Sequence, residues 1–265
     1  MSAGRAFWNG SVARSETRSL SNPSRVADQK TQYDDTNKRF GEPPLPGQSY
    51  ADIDDIDRLL SLPDAAIHRD VDKVVLAAND AAGVVTAVVA PSTIYGRGRG
   101  PVNRRSQQVP ALAAYALREG YAPVVGTGRQ EWNNVHVADV SAALALLVDA
   151  ALDPARNRDP ERFGPRAYYV LEVGSHAWGS VAEWVARAVH DQGFAAEART
   201  ETRPYAEVMA RGGSHTWAAN SKGVTQRAPR YLGWRPAQGS LEDDIPDTVA
   251  WEAERLGIKP AGRAD

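Results

Sequence analysis

Residues 84–90 read VVTAVVA, seven positions with four valines and no charge. A run so short and so apolar fits a strand buried on both faces, as in a parallel sheet, better than a half-exposed strand, which would alternate. Parallel strands need long crossovers, usually helical, so this segment obliges the chain to supply helices on either side of it. Asp64 is placed to cap a helix that carries Ile67, Val71, Val74, Val75 and Ala78 on one face, and Gly83 suits its exit. Residues 64–90 therefore read as a helix followed by an interior strand.

The same alternation continues along the chain. Three prolines and two glycines in 41–49 make a surface linker. Residues 50–62 carry Ile53, Ile56, Leu59 and Leu60 at helical spacing, with aspartates in the first turn and Pro63 as the stop. Beyond the valine strand the pattern predicts a helix over 107–119 and strands at 122–126 and 131–137 around Gly126-Thr127-Gly128. The clearest helix is at 138–152, where Val140, Leu144, Leu147 and Ala151 share a face. A strand at 167–173, a helix at 179–191, a short strand at 195–200, a helix over 220–234 broken near Pro229, and a last helix starting near Asp244 and Pro246 complete the reading. Helices alternating with apolar strands argue an α/β fold. The expected class is a partial Rossmann-like, doubly wound parallel sheet with a smaller C-terminal α+β substrate lobe. Six of the seven tryptophans lie beyond residue 130, which suits such a lobe or gaps filled between helices.

Composition narrows the function. A net charge of -2 gives no basic field for nucleic acid, and the absence of cysteine removes thiolate chemistry and disulfides. The five histidines show no metal-ligand spacing, and there is no Gly-x-Ser-x-Gly nucleophile turn. No apolar run approaches membrane-spanning length. A small-molecule substrate is the expected partner, with neither nucleic acid nor membrane, and the cytoplasm is the expected compartment. The first thirty residues hold Arg5, Arg14, Arg18, Arg25 and Lys30, weakly reminiscent of a transit peptide. Phe7, Trp8, Val12 and Leu20 form no helical stripe, so an unstructured terminus is the reading preferred here.

Ligands in doubly wound sheets sit outside the carboxyl ends of the strands. The segment Pro91-Ser92-Thr93-Ile94-Tyr95-Gly96 leaves that end of the valine strand and reads as a ligand loop, with Pro91 stopping the ladder. Asn103, Arg104, Arg105, Trp132, Asn134 and His136 fall on the segments expected to face a substrate, arginines being suited to carboxylate or phosphate. Trp132, Asn134 and His136 alternate along a strand and so share a face. A structural role for His136, bonded to Asp139 or to backbone, is equally compatible with the sequence.

AVVAPSTIYGRG at 87–98, followed by WNNVHVADVSAALALLV at 132–148, resembles the extended short-chain dehydrogenase/reductases, which include the NAD-dependent epimerase/dehydratases. HRDVDK at 68–73 and RGRGPVNRRSQQVP at 97–110 look closer to an atypical branch of NAD(P)-binding proteins. The resemblance covers roughly residues 50–257. It implies NAD or NADP as cofactor, with Lys73, Pro91, Ser92, Thr93 and Ile94 against it. Lys73 stands where the family's ribose-binding lysine falls, and the position of the catalytic tyrosine is held by Arg69, which cannot shuttle protons near neutrality. His68 titrates in the right range but points about 100° away on the helix. Tyr95 is near the cleft but is not favoured as the acid.

A dinucleotide fold also needs a glycine-rich turn after its first strand, leading into a helix N-terminus. Nothing before residue 50 has that form, and GRGRG at 96–100 follows the wrong strand. SLSNPSRVADQ at 19–29, with Ser21 or Ser24 near the family's active-site serine, is a weak match, and residues 1–18 read as unrelated sequence. The division expected is 1–49 as a poorly structured segment and linker, 50–165 as a truncated NAD(P)-binding core, and 166–265 as the substrate lobe. Three functions follow: an NAD(P)-dependent oxidoreductase or epimerase/dehydratase-like protein for a small carbonyl, aldehyde or sugar-type substrate; a truncated, catalytically impaired relative serving as a binding or regulatory protein or a non-functional fragment; and, more weakly, an aldehyde- or sugar-nucleotide-handling enzyme that takes its missing half from another chain. A truncated sheet exposes an edge, which predicts self-association.

Overall fold

The computed structural model describes residues 39–64, 66, 69–80 and 84–261. His68, Ser21, Ser24 and the whole basic N-terminal stretch lie outside the described residues. The element order is β1 (Tyr50–Ala51), α1 (Ile56–Leu60), α2 (Arg69–Ala77), β2 (Val88–Pro91), β3 (Thr93–Tyr95), α3 (Gln108–Glu119), β4 (Ala122–Val125), β5 (Glu131–His136) and α4 (Val137–Leu152). It continues with β6 (Tyr168–Leu171), β7 (Gly174–Ala177), α5 (Trp178–Asp191), β8 (Thr200–Arg203), α6 (Tyr205–Ala210), β9 (Gly223–Val224) and α7 (Leu241–Leu256). The molecule is α/β with mostly parallel pairing.

β2 runs parallel to β6, with Val88 opposite Tyr168 and Pro91 opposite Leu171. β3 then changes partner and runs parallel to β5, which pairs antiparallel with β7 on its other side. β4 with β8, and β1 with β9, form two further parallel pairs. Both faces of β2 are covered. Val88 and Ala90 pack with Ile56, Leu59 and Tyr168, while Ala87 and Val89 pack on the opposite side with Val135, Leu144 and Leu147. The largest core lies between α3, α5 and α7, around Leu112, Tyr115, Trp132, Val181, Trp217 and Ile245.

The expectation of a strand in mid-sheet is corrected here. Among the described residues β2 has one strand partner, β6, and its other edge has none. Valine content reports burial of the two faces, which holds; it carries no information about edges. The strand is also shorter than 84–90, because residues 84–87 have no regular pairing, and Thr86 N donates to Asn79 Oδ1 at 2.9 Å instead of to a ladder.

Other segments differ from the pattern too, among them 50–62, where Tyr50–Ala51 pair as β1 and the helix is limited to Ile56–Leu60. The strand expected at 195–200 is β8 at Thr200–Arg203, placed by its register with β4. The helix expected over 220–234 is reduced to one wide turn at Ala228–Leu232, preceded by β9. Asp52 explains part of that: its Oδ1 accepts from the backbone N–H groups of Gln226 and Arg227, both at 2.8 Å, and its Oδ2 from Val170 N at 3.0 Å. A long-range carboxylate thus satisfies backbone donors that a helix would otherwise use. Burial pushes the Asp52 carboxyl up to about 6, against the pull of those bonds and of Arg227. The last helix starts at Leu241, where Ser240 and Asp243 form a reciprocal capping box. Pro246 therefore sits inside α7 rather than at its start. Among the described residues no helix is long and apolar enough to cross a membrane.

Candidate functional site

The chain changes strand partner at Ser92, between its pairing with β6 and its pairing with β5. Pro91 has no N–H, yet it remains the last rung of β2, because its neighbour continues the ladder: Ser92 N donates to Leu171 O at 3.0 Å, and Ser92 Oγ donates to the same oxygen at 3.0 Å. The segment expected as a loop from Pro91 is therefore strand, and the loop begins at Gly96. Pro91, Ser92 and Thr93 are all buried, and Ile94 is half-buried. Thr93 Oγ1 is buried without a hydrogen-bond partner.

β3 and β5 bring several of the expected residues together. Thr93 lies opposite Asn134, and Tyr95 opposite His136. Asn134 is buried, with Nδ2 2.9 Å from His176 Nδ1. His136 closes the N-terminus of α4, its Nδ1 accepting from Ala138 N at 3.1 Å. Asp139, one turn on, accepts instead from Ala237 N at 2.9 Å, fixing the chain before α7. Tyr95 packs edge-on to His136 with ring centroids 5.3 Å apart, and its hydroxyl donates to Gly239 O at 2.6 Å. Burial, with the nearby Asp139, pushes the Tyr95 phenol up to about 12, unsuited to proton transfer near neutrality.

Trp132 is on strand β5, as its alternation with Asn134 predicts. It is fully buried, donates Nε1–H to Ala219 O at 2.6 Å and meets Trp178 edge-on. Alternation along β5 puts Trp132 and Asn134 on one face as expected, but that face is core.

Lys73 is on the exposed side of α2, with Nζ 2.9 Å from both oxygens of Asp64. Arg69, at the tyrosine position, donates to the carbonyl of Leu60. At the carboxyl end of β2, a cavity lined by Ala90, Ser92, Tyr168 and Lys222 has a volume of about 20 Å³, room for one water and not for a nicotinamide ring. Among the described residues, then, the Lys73 ammonium is held by Asp64, and this strand-end cavity admits no more than a water.

A larger cavity, about 450 Å³, opens between the 96–106 loop and α7. Gly96, Arg97, Asn103, Arg104 and Arg105 line one wall. The loop is held in shape by a bond from Gly98 N to Arg104 O at 2.9 Å and another from Arg104 Nε to Gly100 O at 3.0 Å. The opposite wall comes from Thr248, Trp251, Glu252 and Arg255 of α7. Arg105 grips Glu252 with two bonds, at 2.6 and 3.2 Å, and Arg255 adds two more at 2.7 and 3.0 Å. Burial raises the Glu252 carboxyl, but the bonds from Arg105 and Arg255 outweigh it and hold the group below the usual range.

The expected residues Asn103, Arg104 and Arg105 are thus brought to one cavity, apart from Trp132 and Asn134. The α7 wall was not anticipated. A signal was present, since positions 248, 251, 252 and 255 fall on one helical stripe that is polar and aromatic rather than aliphatic. Among the described residues no three His, Asp or Glu side chains group as a metal site.

Residues 63–159 match the NAD dependent epimerase/dehydratase family. The oxidase ucsJ of an Acremonium species is 30% identical over 235 residues, which covers 85% of this chain and 67% of that protein. The crystal structure of DesIV, a dTDP-glucose 4,6-dehydratase from Streptomyces venezuelae with NAD and TYD bound, superposes with a TM-score of 0.54 at 18% identity, over 83% of this chain and 59% of that one. The PbgP3 protein from Burkholderia pseudomallei gives 0.51 at 13% identity, over 72% of this chain and 53% of that one. This chain therefore spans little more than half the length of these solved structures.

Proposed function

Because this chain belongs to the NAD-dependent epimerase/dehydratase family, we propose that it is an NAD(P)-dependent oxidoreductase or epimerase/dehydratase-like protein whose small carbonyl or sugar-type substrate occupies the cavity between the 96–106 loop and α7. The observation that carries the substrate half of this reading is the cavity: about 450 Å³, the size of an ordinary ligand pocket, and lined by Gly96, the residue that follows β3. DesIV, whose structure holds NAD, supports the cofactor half. In this reading the chain's own residues bind and orient. Arg97 and Arg104 present guanidinium donors, and Trp251 offers an apolar wall. Tyr95, with its phenol raised, holds the 239–240 bend in place rather than moving a proton.

The test is calorimetric titration of the protein with NAD and with NADP. Saturable heat for either supports the reading, and none at millimolar concentration sinks its cofactor half.

A second reading is favoured by Lys73 and Arg69. With Lys73 paired to Asp64 and arginine at the tyrosine position, the chain serves as a catalytically impaired relative that binds a small molecule. Ligand binding without cofactor-dependent turnover is its expected signature.

A further inference from the structure

We infer that the cavity between the 96–106 loop and α7 selects an oxyanion: its ligand carries a carboxylate or phosphate group, held by Arg97 and Arg104 beside the Trp251 ring. This rests on the proposed function only in taking that cavity as the substrate site.

The charge of the cavity argues first. Its walls hold four arginines, at 97, 104, 105 and 255, against two glutamates, at 252 and 254. The local balance is positive in a chain whose net charge is -2, so the field in the cavity is not an average property of the molecule.

Not all four guanidinium groups are equivalent. Arg105 and Arg255 both hold Glu252, whose side chain is only 4% exposed, so that carboxylate is shared between two cations and cannot neutralise the rest. Arg97 and Arg104 form no ion pair with any carboxylate among the described residues. Glu254 lies on the exposed rim.

The two remaining cations are also positioned. The Arg97 guanidinium carbon lies 5.1 Å from the centroid of the Trp251 ring, a cation–π contact that restrains an otherwise floppy side chain. Arg104 is tied through Nε to Gly100 O, which leaves its terminal amino groups to reach a ligand. Restrained guanidinium forks match carboxylate and phosphate oxygens in pairs, and restraint lowers the entropy lost on binding. The N-terminus of α3 points the same way. Ser106 and Pro110 belong to the cavity wall, and Gln107 makes no side-chain cap, so the positive end of a twelve-residue helix faces the ligand space.

The experiment titrates the protein, without cofactor, with three probes: benzoate, inorganic phosphate and benzyl alcohol, read by tryptophan fluorescence and by calorimetry. Saturable millimolar binding of benzoate or phosphate is expected, with benzyl alcohol at least tenfold weaker. Preference between the two anions tells whether a carboxylate on a ring or a phosphoryl group is the natural feature. The substitutions R97Q and R104Q are each expected to weaken the anion about tenfold with thermal stability unchanged, whereas R129Q, an exposed arginine elsewhere, leaves affinity as it was. Equal binding of benzyl alcohol and benzoate, affinity indifferent to both cavity arginines, or no anion binding at all overturns the inference. Failure here with NAD or NADP still binding removes only the oxyanion claim. Anion binding without cofactor binding leaves this claim and removes the oxidoreductase reading.

Discussion

The Asn134 side-chain amide lies 2.9 Å from Nδ1 of His176, joining the centre of β5 to β7 inside the core. The amide donates and the imidazole accepts, so His176 is neutral with its proton on Nε2, where no partner meets it. Burial pulls the His176 pKa down to about 3. The unfolded chain binds the proton near 6.5 and the folded chain does not. Stability from this group is therefore complete above pH 6.5 and falls as pH drops toward 3, by up to about 1.4 kcal/mol per pH unit. In H176Q that acid-side loss should vanish, as measured by urea unfolding at pH 7, 6, 5 and 4. Parallel curves for the two proteins would falsify the neutral, buried assignment.

Asp52 works in the opposite sense. Its folded pKa is raised to about 6, so its contribution is full below the unfolded value near 3.8 and is lost as pH rises through 6. Between pH 4 and 6 the two groups nearly cancel, and from these residues alone the wild-type protein is expected to be flat there. H176Q should then gain stability on acidification, and D52N should lose it. At pH 7, D52N should also cost about 1–3 kcal/mol, because an amide nitrogen would face Val170 N and leave that buried donor unpaired. An unchanged urea midpoint for D52N at pH 7 would show that the three backbone bonds are not what holds the 226–227 turn.

Gly96 has φ +82°, and a Cβ built on it collides with the His136 ring at Nε2. G96A therefore has two costs: a left-handed backbone for a residue with a side chain, about 1–2 kcal/mol, and displacement of the ring that caps α4. A fall of several degrees in the thermal midpoint is expected. The double variant G96A/H136A tests the cause. With the ring already removed, G96A should cost only its backbone term, so the two losses should add to less than their sum. Strict additivity would mean that the glycine is there for the turn alone.

Much of this was legible in the sequence, and the failures have a common physical origin. The apolar period of Val140, Leu144 and Leu147 located α4 to within one residue, because a buried helical stripe is written locally. The valine run located the faces of β2 but not its edge, since edge pairing depends on chain far away. The missing N–H of Pro91, which suggests an end of pairing, is visible in the sequence, whereas the compensating bond from Ser92 to Leu171 is not. Trp132 and Asn134 were rightly placed on one face, yet alternation does not say whether that face meets solvent or α5. The arginine loop was legible as chemistry. Its partner wall on α7 is written only as a polar and aromatic stripe, which does not differ from a solvated helix face until the fold sets Arg105 against Glu252.

That junction gives the last prediction. Glu252 is nearly buried, and its charge is tolerated because Arg105 and Arg255 both donate to it. Removing Arg105 leaves a desolvated carboxylate with one partner, so R105A should destabilise by about 1–3 kcal/mol, at the low end if Arg255, which is half-exposed, shifts to cover both oxygens. The pH dependence separates a lost charge pair from lost packing. The Glu252 carboxyl is depressed in the folded protein, so its contribution is present above pH 4.5 and is lost as pH falls through the folded value. The gap between wild type and R105A should therefore narrow on acidification below pH 4.5, whereas R105M, which keeps the apolar stem, should track R105A if charge dominates. A gap that stays constant to pH 3, or an R105M as stable as wild type, would show that Arg105 supports the loop through its stem and that Glu252 does not need it.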